Sequence, residues 1–436
     1  MEAAASRYVP TVYLPKIHSQ LRENVMRPYV KLILGLVGSL GNQAMHAQTT
    51  AALADDAAQA SASASPVAYV YVASTIPSNG PVGTQKNHIY AFSAAANGKL
   101  SPVPGSPFND NIVGMAVNGT YLFGSTRNAI YVAAFRIQPN GALKWTTSTN
   151  MQTSNGSGCG GNGPLVLDHS GTNLYSMAFA GDDCTSEDFQ AFRVEKPTGF
   201  LQYVGSSTPL FFNSGALTFG ASNKYAYQAT CSDYRSFYDG VIDIYKRQTN
   251  GMLERTNVVS QIPSAKSGDF YCADIASADP ANHVAVEFQR INASQELPDG
   301  LPQLATYTAN ASGNLSTAST RQNMPHVAMQ YVRDMKMSPS GKLLAVGGAD
   351  GSGGGGLQIF HFNGASPITP YTGLLTNLEI DQFFWDNANH LYAISFSPGR
   401  LFVFTVTPTS VSQAPGSPYT IALPNAVIVQ PKTPHP

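Results

Sequence analysis

The chain has 436 residues, of which only 12% are charged, and its formal net charge at pH 7 is −1. It contains no cluster of Lys and Arg longer than two residues, so the basic patch typical of nucleic-acid binding is not visible in the sequence. Glycine (39), proline (29), tyrosine (21) and phenylalanine (21) are abundant. This composition favours many short strands joined by tight turns over a helical bundle.

The N-terminal segment is predicted to lie outside the fold. From Met26 the chain reads MRPYVKLILGLVGSLGNQAMHAQ, which has a basic start, an apolar run and small residues near a cleavage site. This pattern is typical of a secretory signal peptide, and its apolar part is too short to span a membrane. The alternative is an ordinary amphipathic stretch. We predict export to the periplasm or the extracellular space, and these segments: an upstream leader at 1–25 that is absent if Met26 is the start, a signal peptide at 26–47 and a disordered linker at 48–65.

Four cysteines follow, and an even number in an exported chain predicts two disulfides. The simplest pairing is Cys159–Cys184 and Cys231–Cys272, with Cys184–Cys231 as an alternative. The sequence has no CxxC or Cys/His spacing typical of zinc. We therefore expect no structural metal and no cofactor.

A turn followed by an aromatic-rich strand recurs along the chain at intervals of 52, 52, 59, 59 and 48 residues. Gly or Asn is expected at each turn because the backbone must pass through positive φ there. Units of about four short strands and roughly 50 residues, repeated radially, form a β-propeller. The pattern predicts an all-β fold of seven four-stranded antiparallel blades at 66–431, followed by a tail at 432–436. The turn residues are Gly119, Gly171, Asn223, Asn282, Gly341 and Asn389.

The two ends of this repeat predict how the ring closes. Blade one starts directly at its second strand, VAYVYVAS (67–74), and lacks an inner strand. The C-terminal segment NAVIVQP (425–431) has the pattern of the missing strand, so we expect it to complete blade one. PGSPF (104–108) and PGSPY (415–419) close the outer strands of blades one and seven, where an edge position tolerates proline.

Several of these motifs resemble those of the seven-bladed lactonase-type propellers. They include GKLLAV (341–346), NGKLSPV (97–103) and the PGSPF-type strand ends. That family includes 6-phosphogluconolactonase and the fungal muconate-lactonising enzymes, and it overlaps the YVTN-repeat surface proteins. The resemblance covers 67–431 and implies lactone chemistry through a His, a Glu and Arg residues around the central channel. The segment NMPHVAMQYVRDMKMSPSG (323–341) lies where a Pro-His-rich family segment would, and it offers His326 and Arg333.

Loops that enter the inner strands share one face with loops between second and third strands, and this face is the channel mouth. A lactone hydrolase needs a base to activate water and a cation to hold the developing oxyanion. The alternative is that the polar groups on this face tie loops together through hydrogen bonds to the backbone. The predicted catalytic residues are His326, Arg333, Asp334 and Glu379, and the predicted substrate-binding residues are Arg127, Asp274, Asp381 and Arg235.

Two functions stay open at this point. The first is an exported lactonase-like hydrolase that acts on a small sugar or aliphatic lactone. The second is a non-enzymatic binding or scaffold propeller whose channel-mouth face recognises a small molecule or a protein. The scarcity of Lys and Arg argues against a phosphorylated ligand. We predict a monomer with no nucleic-acid partner and no membrane span.

Overall fold

The computed structural model describes residues 65–75, 87–126, 131–151, 164–180, 186–207, 210–211, 217–233, 236–261, 263, 270–292 and 297–432. They belong to the second of two compact units, Ala62–Pro436. The described residues contain no helix, and therefore no helix that could cross a membrane. The predicted leader, signal peptide and almost all of the linker lie outside the described residues and stay predictions.

The described strands form seven blades, each an antiparallel sheet that runs from an inner strand to the rim. Blades one to three contain β1 (Ala68–Thr75), β2 (Asn87–Ala94), β3 (Leu100–Pro102) and β4 (Phe108–Asn109); β5 (Ile112–Val117), β6 (Tyr121–Thr126), β7 (Tyr131–Ile137) and β8 (Leu143–Asn150); and β9 (Leu165–Leu167), β10 (Asn173–Ala180), β11 (Ser186–Val194), β12 (Leu201–Ser206) and β13 (Leu210–Phe211).

Blades four to seven follow the same order from the inner strand outwards. They contain β14 (Thr218–Phe219), β15 (Tyr225–Asp233), β16 (Ser236–Arg247) and β17 (Leu253–Gln261); β18 (Phe270–Ala278), β19 (His283–Asn292), β20 (Leu297–Pro298), β21 (Gln303–Ala309) and β22 (Leu315–Ser316); β23 (Tyr331–Met337), β24 (Leu343–Ala349), β25 (Gly355–His361) and β26 (Thr369–Pro370); and β27 (Gln382–Trp385), β28 (His390–Ser395), β29 (Arg400–Thr407), β30 (Ser410–Gln413) and β31 (Tyr419–Thr420). A single parallel bridge between Asp239 and Tyr271 joins blades four and five.

The last strand, β32 (Pro424–Pro431), confirms the predicted ring closure. It pairs antiparallel with β1, from Ala68 opposite Pro431 to Ser74 opposite Pro424, and becomes the inner strand of blade one. Its side chains alternate between two faces. Val427 and Val429 pack in the apolar core against blade seven, whereas Ala426 and Ile428 pack in the core against blade two. One strand therefore contributes to two blade interfaces.

Neighbouring blades also interlock through the glycine turns between third and fourth strands. Gly141 in blade two lies against the ring of Tyr69 in blade one, and Gly199 in blade three lies against Tyr121 in blade two. The two glycines have φ of +84° and +75°, so their backbone and their position both disfavour a side chain. Among the predicted turns that precede second strands, all but Asn282 pass through positive φ.

This packing predicts different outcomes for two glycine substitutions. Both Gly141→Ala and Gly119→Ala place a Cβ at positive φ, but a Cβ at Gly119 meets nothing within 4 Å, whereas one at Gly141 collides with the Tyr69 ring. We expect Gly141→Ala to lower the free energy of unfolding by about 1–3 kcal/mol more than Gly119→Ala. Urea denaturation of both variants measures the difference. Equal losses would contradict the interlocking role of the turn.

Candidate functional site

Three consecutive blades place a charged residue within an inner strand or directly before it. The pairing of β18 with β19 is irregular between Ala273 and Ala276, which places Asp274 in a bulge. The pairing of β23 with β24 shifts between Val332 and Asp334, which places Arg333 in a second bulge. Bulges change the direction in which a side chain points. In blade seven, Asp381 directly precedes β27 and its N–H donates to the carbonyl of Ile394 at 3.0 Å.

The three residues lie at one level of the channel. The bulge that contains Asp274 faces Glu287, while the residues that follow Arg333 and Asp381 pair with Gly347 and Ile394. Glu287, Gly347 and Ile394 are each the fifth residue of their second strand. Because Asp381 directly precedes the first residue of β27, this level lies at the end of the channel where the chain enters the inner strands.

Arg333 and Glu379 form an ion pair at this level. The Arg333 Nε donates to Glu379 Oε1 at 3.1 Å, and the arginine side chain is 53% exposed. Among the described residues the guanidinium makes no other hydrogen bond, which leaves its Nη groups open to a ligand. Glu379 therefore fixes the orientation of a cation whose outer edge faces solvent.

The charges of Arg333 and Glu379 both affect the pKa of the nearby Asp381 carboxyl. The pKa of the Asp381 carboxyl is raised to about 6: burial is the main cause and the neighbouring Glu379 adds to it, while the Phe396 N–H and the Arg333 charge act in the opposite direction. The Phe396 N–H donates to Oδ2 at 2.7 Å. A carboxylate that takes up a proton near pH 6 is well placed for general-base work at neutral pH.

Asp334 has a different environment, although it follows Arg333 directly. It is buried, its Oδ2 accepts the N–H of Phe383 at 3.0 Å, and its Oδ1 accepts Lys336 Nζ at 2.8 Å. Both carboxylate oxygens are therefore engaged. The residue joins the inner strands of blades six and seven, which is the structural role that the sequence left open for polar groups on this face.

His326 lies away from this cluster. It forms a bridge to Gln303 on the rim side of β21, its side chain is exposed, and its Nδ1 lies 3.2 Å from the carbonyl of Leu301. The fourth-strand position of a blade is three strand spacings, about 14 Å, from the inner strand. The structure thus brings together Arg333, Glu379 and Asp381 but does not add His326 to them.

Asp274 has a partner that the sequence analysis missed. Its N–H donates to the carboxyl of Glu287, which is 1% exposed and whose Oε2 has no hydrogen-bond partner among the described residues. Burial and the nearby Asp274 charge raise the pKa of Glu287 well above its usual range. A glutamate inside the apolar run HVAVEF was the available signal. Glu287 supports the bulge that presents Asp274.

Some predicted residues fall outside the described part of the chain. Arg127, Arg235, Cys159 and Cys184 are among them, and of Cys231 only the backbone is described. Cys272 is buried and disulfide-bonded, but its partner is not among the described side chains, so the pairing stays a prediction. The described residues contain no group of three or more His, Cys, Asp or Glu side chains that could hold a metal ion.

Comparison with known proteins identifies the fold. No family model matches the sequence, and no curated protein sequence matches it. Among solved structures, a provisionally named 6-phosphogluconolactonase from Bacteroides uniformis matches with a TM-score of 0.58 and 13% identity over 83% of this chain and 99% of that one. A second such protein, from Bacteroides fragilis, matches with a TM-score of 0.54 and 13% identity over 85% and 99%.

A functionally unknown protein from Desulfotomaculum acetoxidans matches equally well, with a TM-score of 0.55 and 9% identity over 83% of this chain and 98% of that one. The chain shares the propeller fold of all three. The resemblance expected from the sequence is therefore confirmed at the level of the fold, which alone does not determine an activity.

The environment of Asp381 predicts a pH-dependent stability. Its pKa is raised from 3.8 to about 6, so ionisation is harder in the folded than in the unfolded chain. The contribution of this carboxyl to stability is therefore complete below pH 4 and is lost as the pH rises through about 6. Asp381→Asn keeps an acceptor for the Phe396 N–H. We expect it to exceed the wild type in free energy of unfolding by on the order of 1–3 kcal/mol at pH 8 and by little at pH 4.

Urea denaturation at both pH values measures this difference. Asp299→Asn, which alters an exposed ion pair with Arg290 (3.6 Å), serves as the control and should show no such pH-dependent gain. A gain of Asp381→Asn that is the same at pH 4 and pH 8 would contradict the raised pKa.

Proposed function

We propose that the chain is a lactonase-type hydrolase that opens a small lactone at the channel mouth. One observation supports the proposal above all others. The Asp381 carboxyl has a pKa of about 6 and interacts electrostatically with Arg333 where blades six and seven meet. Glu379, two residues before Asp381, orients the arginine through its ion pair with Nε. We infer that Asp381 is the base and Arg333 the cation that lactone hydrolysis needs. The propeller fold, which the chain shares with provisionally named lactonases, supports this assignment.

The reaction uses the two side chains in turn. Asp381 Oδ1 takes a proton from a water molecule, and the water oxygen attacks the carbonyl carbon of the lactone. The Nη groups of Arg333 donate to the oxyanion that forms on the carbonyl oxygen. The ring C–O bond then breaks, and the leaving alkoxide takes the proton back from Asp381. Lactone and water are converted into a hydroxy acid, and Asp381 returns to its ionised state.

Kinetics on lactones test this assignment. For purified residues 48–436, pH-stat assays on a panel of γ- and δ-lactones should show kcat/KM rising with pH to a plateau above about pH 6, because Asp381 must be ionised. Asp381→Asn and Arg333→Ala should each lower kcat/KM by on the order of 10²–10³-fold. Circular dichroism verifies that each variant is folded.

His326→Ala is the matched control, since His326 lies at the rim of blade five and should leave kcat/KM unchanged. A large loss in His326→Ala with normal activity in Asp381→Asn would contradict the assignment of the base. Absence of turnover on every lactone would reject the hydrolase and favour the binding or scaffold propeller.

We also propose that the protein is exported. The apolar run after Met26 supports this, and so does the disulfide at Cys272, since disulfides persist in oxidising compartments. N-terminal sequencing of protein recovered from the periplasmic or extracellular fraction should begin after Ala44 or Ala47. Recovery of an uncleaved chain from the cytoplasm would contradict export.

A further inference from the structure

We propose that Asp274 and Glu287 form a binding site for a hard divalent cation, Ca²⁺, in blade five on the side that faces blade six. The inference goes beyond the proposed function and does not depend on it. Three observations support it: Glu287 is buried, one oxygen of its carboxyl has no partner among the described residues, and a second carboxyl lies beside it.

Glu287 is a buried carboxyl in apolar surroundings. It is 1% exposed. Because strand side chains alternate, it lies on the same face of β19 as Ala285, which packs in an apolar core with Met335 of blade six. The equivalent residues in blades six and seven are Gly347 and Ile394, which carry no charge. The repeat therefore does not require an ionisable group at this position.

One oxygen of the Glu287 carboxyl has no partner. The Asp274 N–H donates to this carboxyl, and the acceptor is Oε1, because Oε2 has no hydrogen-bond partner among the described residues. A proton that neutralised Glu287 would reside on Oε2 and become a buried donor without an acceptor, which is itself costly. A cation at Oε2 neutralises the charge and also engages the oxygen.

Asp274 supplies the second ligand. It lies in the bulge of β18 that faces Glu287, it is only partly buried, and its charge raises the pKa of the Glu287 carboxyl. Among the described residues no cation acts on that pKa. Arg333, at the same level of the next inner strand, donates instead to Glu379. Two adjacent carboxylates repel each other, and a cation held by both removes the repulsion.

The ligands favour Ca²⁺ among the hard cations. Ca²⁺ accepts about six to eight oxygen ligands in flexible geometry, whereas Mg²⁺ needs a near-ideal octahedron, which an irregular bulge does not provide. No third His, Cys, Asp or Glu of the described residues joins the pair, so water completes the shell from the partly exposed side of Asp274. Two carboxylates predict a modest affinity, with a Kd on the order of 10⁻⁴–10⁻³ M.

The missing Cys/His spacing argued against a structural metal in the sequence, but that argument concerns zinc and not a cation held by oxygen.

Thermal unfolding in CaCl₂ and in EGTA at constant ionic strength tests the site. For the purified chain near pH 7.5, about 10 mM CaCl₂ should raise Tm by roughly 2–4 °C. Glu287→Gln keeps an oxygen for the Asp274 N–H but removes the charge, and it should abolish the shift. Asp274→Asn should raise the midpoint Ca²⁺ concentration at least tenfold. Glu379→Gln removes a carboxylate that Arg333 already pairs, and as the matched control it should keep the shift.

Two results would overturn the cation site. A Tm that is the same in CaCl₂ and EGTA leaves a proton to neutralise Glu287, and an equal shift in all three variants means that Ca²⁺ binds elsewhere. If Glu287→Gln does not fold, Asp274→Asn decides the question, because Asp274 is partly exposed. None of these measurements requires turnover, so their outcome is independent of whether the chain hydrolyses lactones.

Discussion

The pairing between β1 and β32 is the contact on which the rest of the structure depends. A propeller has no rigid frame other than its ring, and each blade is positioned by the two neighbours that cover its faces. Because strand side chains alternate, β32 gives Val427 to the core shared with blade seven and Ile428 to the core shared with blade two. Closure therefore fixes the spacing of all inner strands, and with it the mouth of the channel.

The candidate site follows from that spacing. Arg333 and Asp381 are 48 residues apart in the chain, but they occupy the same level of adjacent inner strands. The bond from the Phe383 N–H to Asp334 holds these two strands together directly beneath them. The burial that raises the pKa of Asp381 to about 6 also makes its charged form costly in the folded chain. Such a base lowers the stability of the folded chain locally, which is common at functional sites.

The sequence predicted some residues of this site but not the contacts between them. Arg333, Glu379 and Asp381 were all expected at the channel mouth, because each lies next to an inner strand and strand order can be counted from the repeat. The contacts between these side chains, in contrast, could not be predicted from the order of the strands. His326 precedes the same inner strand in sequence, yet the chain first runs along the rim of blade five, and His326 stays there. Glu287 and Phe396 depend on a bulge and a loop contact that no repeat spacing reveals.

The sequence by itself determined the number of blades, their four-stranded pattern and the return of the last strand to blade one. These features follow from local periodicity and turn chemistry, which repeat about every 50 residues and can be read one unit at a time. The tertiary structure alone decided which polar groups are engaged by neighbours and which are left for a substrate. That decision depends on distances of a few ångströms between strands of different blades, and on the burial that shifts a pKa. Neither quantity is a property of any single repeat.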